Sequence, residues 1–221
     1  MDVSVHDRSD DHLGEAERVE ASGDVFITHI AVGLMHTLAL DRDRNVWAWG
    51  LNNHGQLGDG GTTDRTMPVQ VTGLNDIVAI AAGYGNSLAL KSDGTVWAWG
   101  LNDHGQLGDG TTTNRDIPVQ IQQVDDVKAI AMGIVHSVAL KQDGTVWTWG
   151  SNQYGQLGDG TTTEQYTPQQ LMALSNVDAI AASHYRSAAL KDDGRYGLGG
   201  PIFSVNSETG ILMIRACPCR L

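Results

Sequence analysis

The chain has 221 residues, 41% of them hydrophobic and 18% charged, enough apolar content for a core and too much for wholesale disorder. Its 14 Lys and Arg against 26 Asp and Glu leave a formal charge of −12, the wrong sign for a non-specific nucleic-acid binder, which must neutralise phosphates. No apolar run approaches the roughly 18 residues of a membrane-spanning helix, and the two cysteines, Cys217 and Cys219, exclude a disulfide-framed module.

Residues 1–24 carry eight acidic and two basic side chains, half of the net charge, with little apolar periodicity. They read as a disordered acidic leader. No basic start leads into an apolar stretch, so the expected location is cytoplasmic; a start upstream of Met1 would leave secretion open.

From residue 25 an internal repeat dominates. VWAWG at 46–50 returns at 96–100 and, as VWTWG, at 146–150; these segments hold all six tryptophans, Trp47, Trp49, Trp97, Trp99, Trp147 and Trp149. GQLGDG recurs at 55–60, 105–110 and 155–160, and Pro68, Pro118 and Pro168 follow in step. The period is 50 residues, giving units 30–79, 80–129 and 130–179 and a partial unit 180–194. The second unit shows the strand signals: Ile77–Ala82, Ser87–Lys91, a turn at Asp93-Gly94, Thr95–Gly100, and a fourth strand opening at Pro118. Both alternating faces of the hairpin strands are apolar, as in a sheet covered on each side. Four short strands per unit, stacked face to face, describe a β-propeller blade. The fold class is therefore all-β, a partial propeller of about three and a half four-stranded blades.

The pattern AAG-x-x-[HN]-S-x-A-L-K-x-D-G-T-V-W-x-W-G-x-N-x-x-G-Q-L-G-D-G-T resembles the regulator of chromosome condensation repeat, especially its bacterial form, across residues 30–194. Kelch blades have a different glycine and aromatic spacing, and the Trp-Asp ending of WD-type blades is missing. The resemblance implies a family norm of seven blades and protein partners: some members grip small GTPases, and one bacterial member inhibits β-lactamases by covering their active site. The founder of the family catalyses nucleotide exchange through a wedge-like loop, for which this evenly spaced chain has no insertion.

After Gly194 the pattern demands T-V-W-A-W-G, and the chain gives Arg195-Tyr196-Gly197-Leu198-Gly199-Gly200. Regrouping compatible codons by one base converts the second string into the first, and a similar regrouping recovers GQLGDG further on. A one-base deletion at Gly194 is the expectation, with 195–221 an aberrant tail. Cys217-Pro218-Cys219 then lacks the other half of a thiolate metal site, and no metal or cofactor is expected.

Within the repeats, GQLGDG lacks the lysine of a phosphate-binding loop. Its glycines (Gly55, Gly58, Gly60, Gly105, Gly108, Gly110, Gly155, Gly158 and Gly160) read as turn structure, and Asp59, Asp109 and Asp159 as partners for loop amides rather than calcium ligands. The tryptophans read as core between blades. His36, Asn86, His136 and Arg186 share one repeat position, expected to bond backbone within each blade. His54, His104 and Tyr154 share another, in a polar loop after the tryptophan strand, and are the candidate partner contacts. No nucleophile, base and orienting group come together in the sequence, so no enzyme is expected. The expected function is a protein–protein interaction module, a fragment of a longer repeat protein. Its unknown partner could be basic, and the open blade faces could drive self-association. The alternatives are a guanine-nucleotide exchange factor and a truncated product without independent function.

Overall fold

In the computed structural model, residues 25–192 are described. They form strands and turns only, fourteen strands in chain order. Strands β1 (Ile27–Val32), β2 (His36–Asp41), β3 (Val46–Gly50) and β4 (Arg65–Gln70) make the first antiparallel meander. The second contains β5 (Ile77–Ala82), β6 (Asn86–Lys91), β7 (Val96–Gly100) and β8 (Arg115–Gln120). The third contains β9 (Val127–Met132), β10 (His136–Lys141), β11 (Val146–Gly150) and β12 (Gln165–Gln170). A two-stranded sheet, β13 (Val177–Ser183) and β14 (Arg186–Lys191), begins a fourth. The acidic leader, the frame change at Gly194 and the tail with Cys217 and Cys219 lie outside the described residues.

Local chemistry sets the hairpins. At the β6–β7 turn, Gly94 takes φ +83° and donates its N–H to the Lys91 carbonyl at 3.0 Å, and Asp93 accepts from the Thr95 amide and hydroxyl at 3.0 and 2.6 Å. The third turn repeats this with Gly144 at φ +79°. The first has Arg44 there, held left-handed at φ +66°, a conformation that costs a residue with a Cβ about 1–2 kcal/mol. The fourth strand differs from expectation. It begins at Arg115, three residues before Pro118, so Pro118 lies within the outer edge strand. Pairing there is irregular between Ala98 and Gly100, and the missing N–H is tolerated at such an edge.

The sheets stack through apolar junctions. Leu38, Leu40, Val46, Ala48, Leu57, Val71 and Leu74 of the first blade meet Ile77, Ala89 and Trp99 of the second. The same layer recurs where Leu88, Leu90, Val96, Ala98 and Leu107 meet Ala139 and Trp149, and again where Val138, Leu140 and Val146 meet Ala189. Both faces of the middle sheets are therefore covered. Among the described residues the propeller is open: no blade precedes the first sheet, and there Ile30 and Val32 are 64% and 72% exposed.

Because each sheet is a meander, the turns between its first two strands and the long loops between its last two emerge at one end. The tight hairpins at 42–45, 92–95 and 142–145 emerge at the other, with the connectors between blades. The first strands pack against one another from blade to blade, which places the β1–β2, β5–β6, β9–β10 and β13–β14 turns around the propeller axis.

Candidate functional site

The loop between the third and fourth strands is built from one buried asparagine. Asn52 accepts the Leu57 amide at 3.0 Å through its side-chain oxygen and donates its Nδ2 to Asp59 at 3.1 Å and to the Gly61 carbonyl at 3.0 Å. Asn102 and Asn152 repeat the arrangement around Leu107 and Leu157. Asp59 also accepts from the Gly61 amide, and Arg65 closes on it at 2.6 Å; Arg115 does the same to Asp109 at 2.7 Å. Burial by itself would raise the Asp59 and Asp109 carboxyls. Hydrogen bonds outweigh it, from Arg65 and Asn52 on one and from Thr111 and Arg115 on the other, and both sit below the ordinary aspartate value. Asp159 accepts the Thr161 amide at 2.8 Å, and Gln165 stands where the other blades carry arginine. These carboxylates fasten their own loops. Among the described residues, no three His, Cys, Asp or Glu side chains converge as a metal site would require, and no helix is long and apolar enough to cross a membrane.

Each loop is also a socket for the next blade. The Gln56 carbonyl accepts the indole N–H of Trp99 and the hydroxyl of Ser87, both at 2.9 Å, and the Gln106 carbonyl accepts Trp149 and Ser137 at 3.0 and 2.9 Å. Gly58 and Gly108 lie flat under the indoles: a Cβ would meet the Trp99 Nε1 at 2.8 Å or the Trp149 Nε1 at 2.6 Å. Trp99 and Trp149 are fully buried, whereas Trp47, Trp97 and Trp147 are half-buried and bond Asp41, Thr95 and Thr145 beside them. Trp49, with no socket before it among the described residues, is also half-buried.

The buried histidines extend these locks. His36 Nε2 lies 3.0 Å from the Ser87 hydroxyl and His136 Nε2 lies 2.8 Å from that of Ser187, across the junction rather than on backbone of their own blade as expected. Ser187 donates its one proton to the Gln156 carbonyl at 2.8 Å, so Nε2 must be the donor and Nδ1 is left bare. Burial holds both rings at about 4, well below their ordinary 6.5, so they are neutral. A His–Ser contact invites a nucleophile–base reading. Here both partners are sealed, the serine proton is committed to a carbonyl, and Nδ1 has no partner to orient the ring.

His54, His104 and Tyr154 sit at the rim of the same end, each reaching toward the following blade. Asn114 Nδ2 lies 3.4 Å from His54 Nδ1, His104 Nδ1 contacts Glu164 at 2.6 Å, and Tyr154 packs edge-on against Tyr185 with ring centroids 4.9 Å apart. Their environments are unlike, although their loops are alike. Inside them, at the axis, the first turns present Leu34 and Met35, 65% and 57% exposed, and half-exposed Tyr84 and Tyr185. Successive turns are joined by Leu34 N–H to the Gly83 carbonyl at 3.1 Å, Tyr84 N–H to the Ile134 carbonyl at 3.2 Å, and Ile134 N–H to the His184 carbonyl at 2.9 Å. A cavity of about 380 Å3 opens between them, lined among others by Val32, Leu34, Tyr84, Met132, Ile134 and His184. This collar is absent from the candidates drawn from motifs. Its signal was variation: the turns read Gly-Leu-Met, Gly-Tyr-Gly and Gly-Ile-Val at 33–35, 83–85 and 133–135 inside an otherwise constant repeat.

A family model described as an RCC1-like domain matches residues 15–200. The chain belongs to the RCC1-like family. Human HERC2, an E3 ubiquitin-protein ligase, is 44% identical over 66 residues, 30% of this chain and 1% of that protein. SRM1 of Saccharomyces cerevisiae, a guanine nucleotide exchange factor, is 62% identical over 32 residues, 14% of this chain and 7% of that one. Among solved structures, yeast RCC1 (Prp20), crystallised bound to Kap60, superposes with a TM-score of 0.70 at 27% identity, covering 80% of this chain and 44% of that chain. This RCC1-like chain thus spans less than half the length of that solved relative and a small part of the curated ones.

Proposed function

We propose that this RCC1-like chain is a non-catalytic protein-binding module. Its contact surface is the end that carries the Leu34, Met35, Tyr84 and Tyr185 collar, rimmed by His54, His104 and Tyr154. The carrying observation is that unlike, half-exposed apolar and aromatic side chains stand on near-identical, hydrogen-bonded turns. That is the composition of a recognition surface on a rigid frame. Asp64, Asp103 and Glu164 lie in the long loops of the same end, and with the overall acidity they favour a partner carrying basic groups around an apolar patch. A photo-crosslinking residue placed at Tyr84, and in a parallel protein at Asp93 on the opposite end, tests the surface. Discrete adducts from the Tyr84 position and none from Asp93 are expected; equal labelling from both ends, or labelling from Asp93 alone, overturns the assignment.

The local likeness to SRM1 favours a second reading, nucleotide exchange on a small GTPase. The loops at 51–64, 101–114 and 151–164 are of equal length, and none is extended into a wedge. Release of labelled GDP from a panel of small GTPases separates the readings: binding without accelerated release supports the scaffold, and accelerated release supports the exchange factor.

A further inference from the structure

Two blades show what completes the aspartate of a GQLGDG loop. Arg65 and Arg115 open β4 and β8, opposite Gly50 and Gly100. From there the Arg65 guanidinium directs two N–H groups at one oxygen, Asp59 Oδ2, at 2.7 Å through Nε and 2.6 Å through a terminal nitrogen. Arg115 does the same to Asp109 Oδ2 at 2.9 and 2.7 Å. The other oxygen, Oδ1, is held within the loop, by Asn52 and the Gly61 amide in the first blade and by Asn102 and the Thr111 amide in the second. The third blade keeps its carboxylate in that posture: Asp159 Oδ1 accepts from Asn152 Nδ2 at 3.1 Å and from the Thr161 amide at 2.8 Å. The residue opposite Gly150, however, is Gln165, which carries no charge. Among the described residues, Asp159 Oδ2 meets only the Thr161 hydroxyl, at 3.0 Å, and no cation lies within ion-pair distance of it. Thr161 is exposed, where Gly61 and Thr111 are half-buried.

We infer that Asp159 is a docking point for an arginine of the protein partner, whose guanidinium takes the place that Arg65 and Arg115 fill from within the chain. The inference rests on the reading of this end as the contact surface, since the loop 151–164 emerges at the collar end and carries Tyr154 and Glu164 as well. A carboxylate already oriented by its own loop loses little freedom on taking up the contact. A guanidinium sends two N–H groups from one edge, whereas an ammonium acts as a point charge, so arginine is preferred to lysine. The occupant follows from two filled copies of the site and from the loss of the internal cation at position 165, not from acidity alone.

The test follows the amide resonances of Gly61, Thr111 and Thr161 in the full chain by nuclear magnetic resonance, each amide donating to its loop aspartate. The end-capped peptide Gly-Arg-Gly is added at constant ionic strength. Thr161 should shift saturably, with a midpoint of roughly 10–100 mM, the scale of one charge-assisted contact. The response should be several-fold weaker with Gly-Lys-Gly and absent with the neutral Gly-citrulline-Gly. Gly61 and Thr111 should stay still. Gln165→Arg, which restores the residue of the other blades, should silence Thr161, as should Asp159→Asn; Arg115→Gln should make Thr111 respond. No shift at Thr161, prior occupation by an arginine of the chain itself included, overturns the inference, as do equal shifts at all three amides or a response that survives Gln165→Arg. Silence at Thr161 alongside discrete adducts from the Tyr84 position removes the arginine site and leaves the contact surface; silence together with equal labelling from both ends removes both.

Discussion

The two sealed histidines make stability steeply dependent on pH in a window set by their burial. His136 has an ordinary value of 6.5 unfolded and about 4 folded, lowered by loss of solvent at a fully buried site. His36 moves equally, to about 4. A basic group whose folded value is depressed binds its proton more readily when unfolded. Stability is therefore fully present above 6.5 and lost as pH falls toward 4. The shift corresponds to about 3 kcal/mol per ring at the acid end of the window, a large part of the roughly 5–15 kcal/mol that holds a domain together. Urea denaturation followed by tryptophan fluorescence at a series of pH values should give a nearly constant unfolding free energy from pH 8 to 7. Below 6.5 it should fall, with a slope approaching two protons. In His136→Asn, which copies the residue at position 86, the slope should halve. Asp59 and Asp109, whose values lie below the ordinary 3.8, lose their contribution only under more acid conditions, so the two effects separate. A flat profile between pH 6.5 and 4, or an unchanged slope in His136→Asn, would refute neutral, desolvated rings at the junctions.

Other perturbations follow from the same junctions. Arg44→Gly should stabilise the chain by about 0.5–1 kcal/mol, because it relieves a left-handed residue at the position where the 92–95 and 142–145 turns carry glycine; the denaturation midpoint should rise. Gly94→Ala, in the equivalent turn, should destabilise, since φ is +83° and the Cβ would lie 3.0 Å from the Asp126 Cα. Gly58→Ala drives a Cβ to 2.8 Å from the Trp99 Nε1 and should cost about 3 kcal/mol, against about 1 kcal/mol for Gly160→Ala, where only backbone strain applies; equal midpoints for the two would contradict the socket. Asn86 carries buried side-chain O and N atoms without partners. Asn86→His should gain the contact to Ser137 that His36 and His136 make to their serines, raising stability by about 1 kcal/mol at pH 8 and adding a third proton to the acid transition.

The fold was legible in the sequence because a repeat of constant length leaves one architecture that stacks it. Asp93-Gly94 marked the hairpin, and the apolar faces of Leu88, Ala89, Leu90 and the Trp97–Trp99 strand marked a sheet covered on both sides. What the chain conceals is which contacts cross between blades. Trp99 and Gln56 are 43 residues apart, His36 and Ser87 are 51 apart, and the acceptor at the socket is a main-chain carbonyl, which leaves no residue-type signature. For that reason His36 and His136 read as local ligands of backbone when they are junction residues. Pro118 misplaced the start of β8 because its ring is tolerated within an edge strand as well as at its first residue. The collar of Leu34, Met35, Tyr84 and Tyr185 was invisible to motif reasoning for the opposite reason: it lies where the repeat varies, and variation alone does not say which end of a blade a turn occupies until the meander is known.

The stacked-blade account rests on Trp99 and Trp149 donating to carbonyls of the preceding loop from fully buried positions, and hydrogen exchange of the six indole N–H groups, resolved by nuclear magnetic resonance, tests it directly. The N–H groups of Trp99 and Trp149 should exchange only through opening of a junction, orders of magnitude more slowly than the half-buried Trp47, Trp97 and Trp147. Exchange of Trp99 and Trp149 at the same rate as Trp97 would contradict the locks and the stacking built on them.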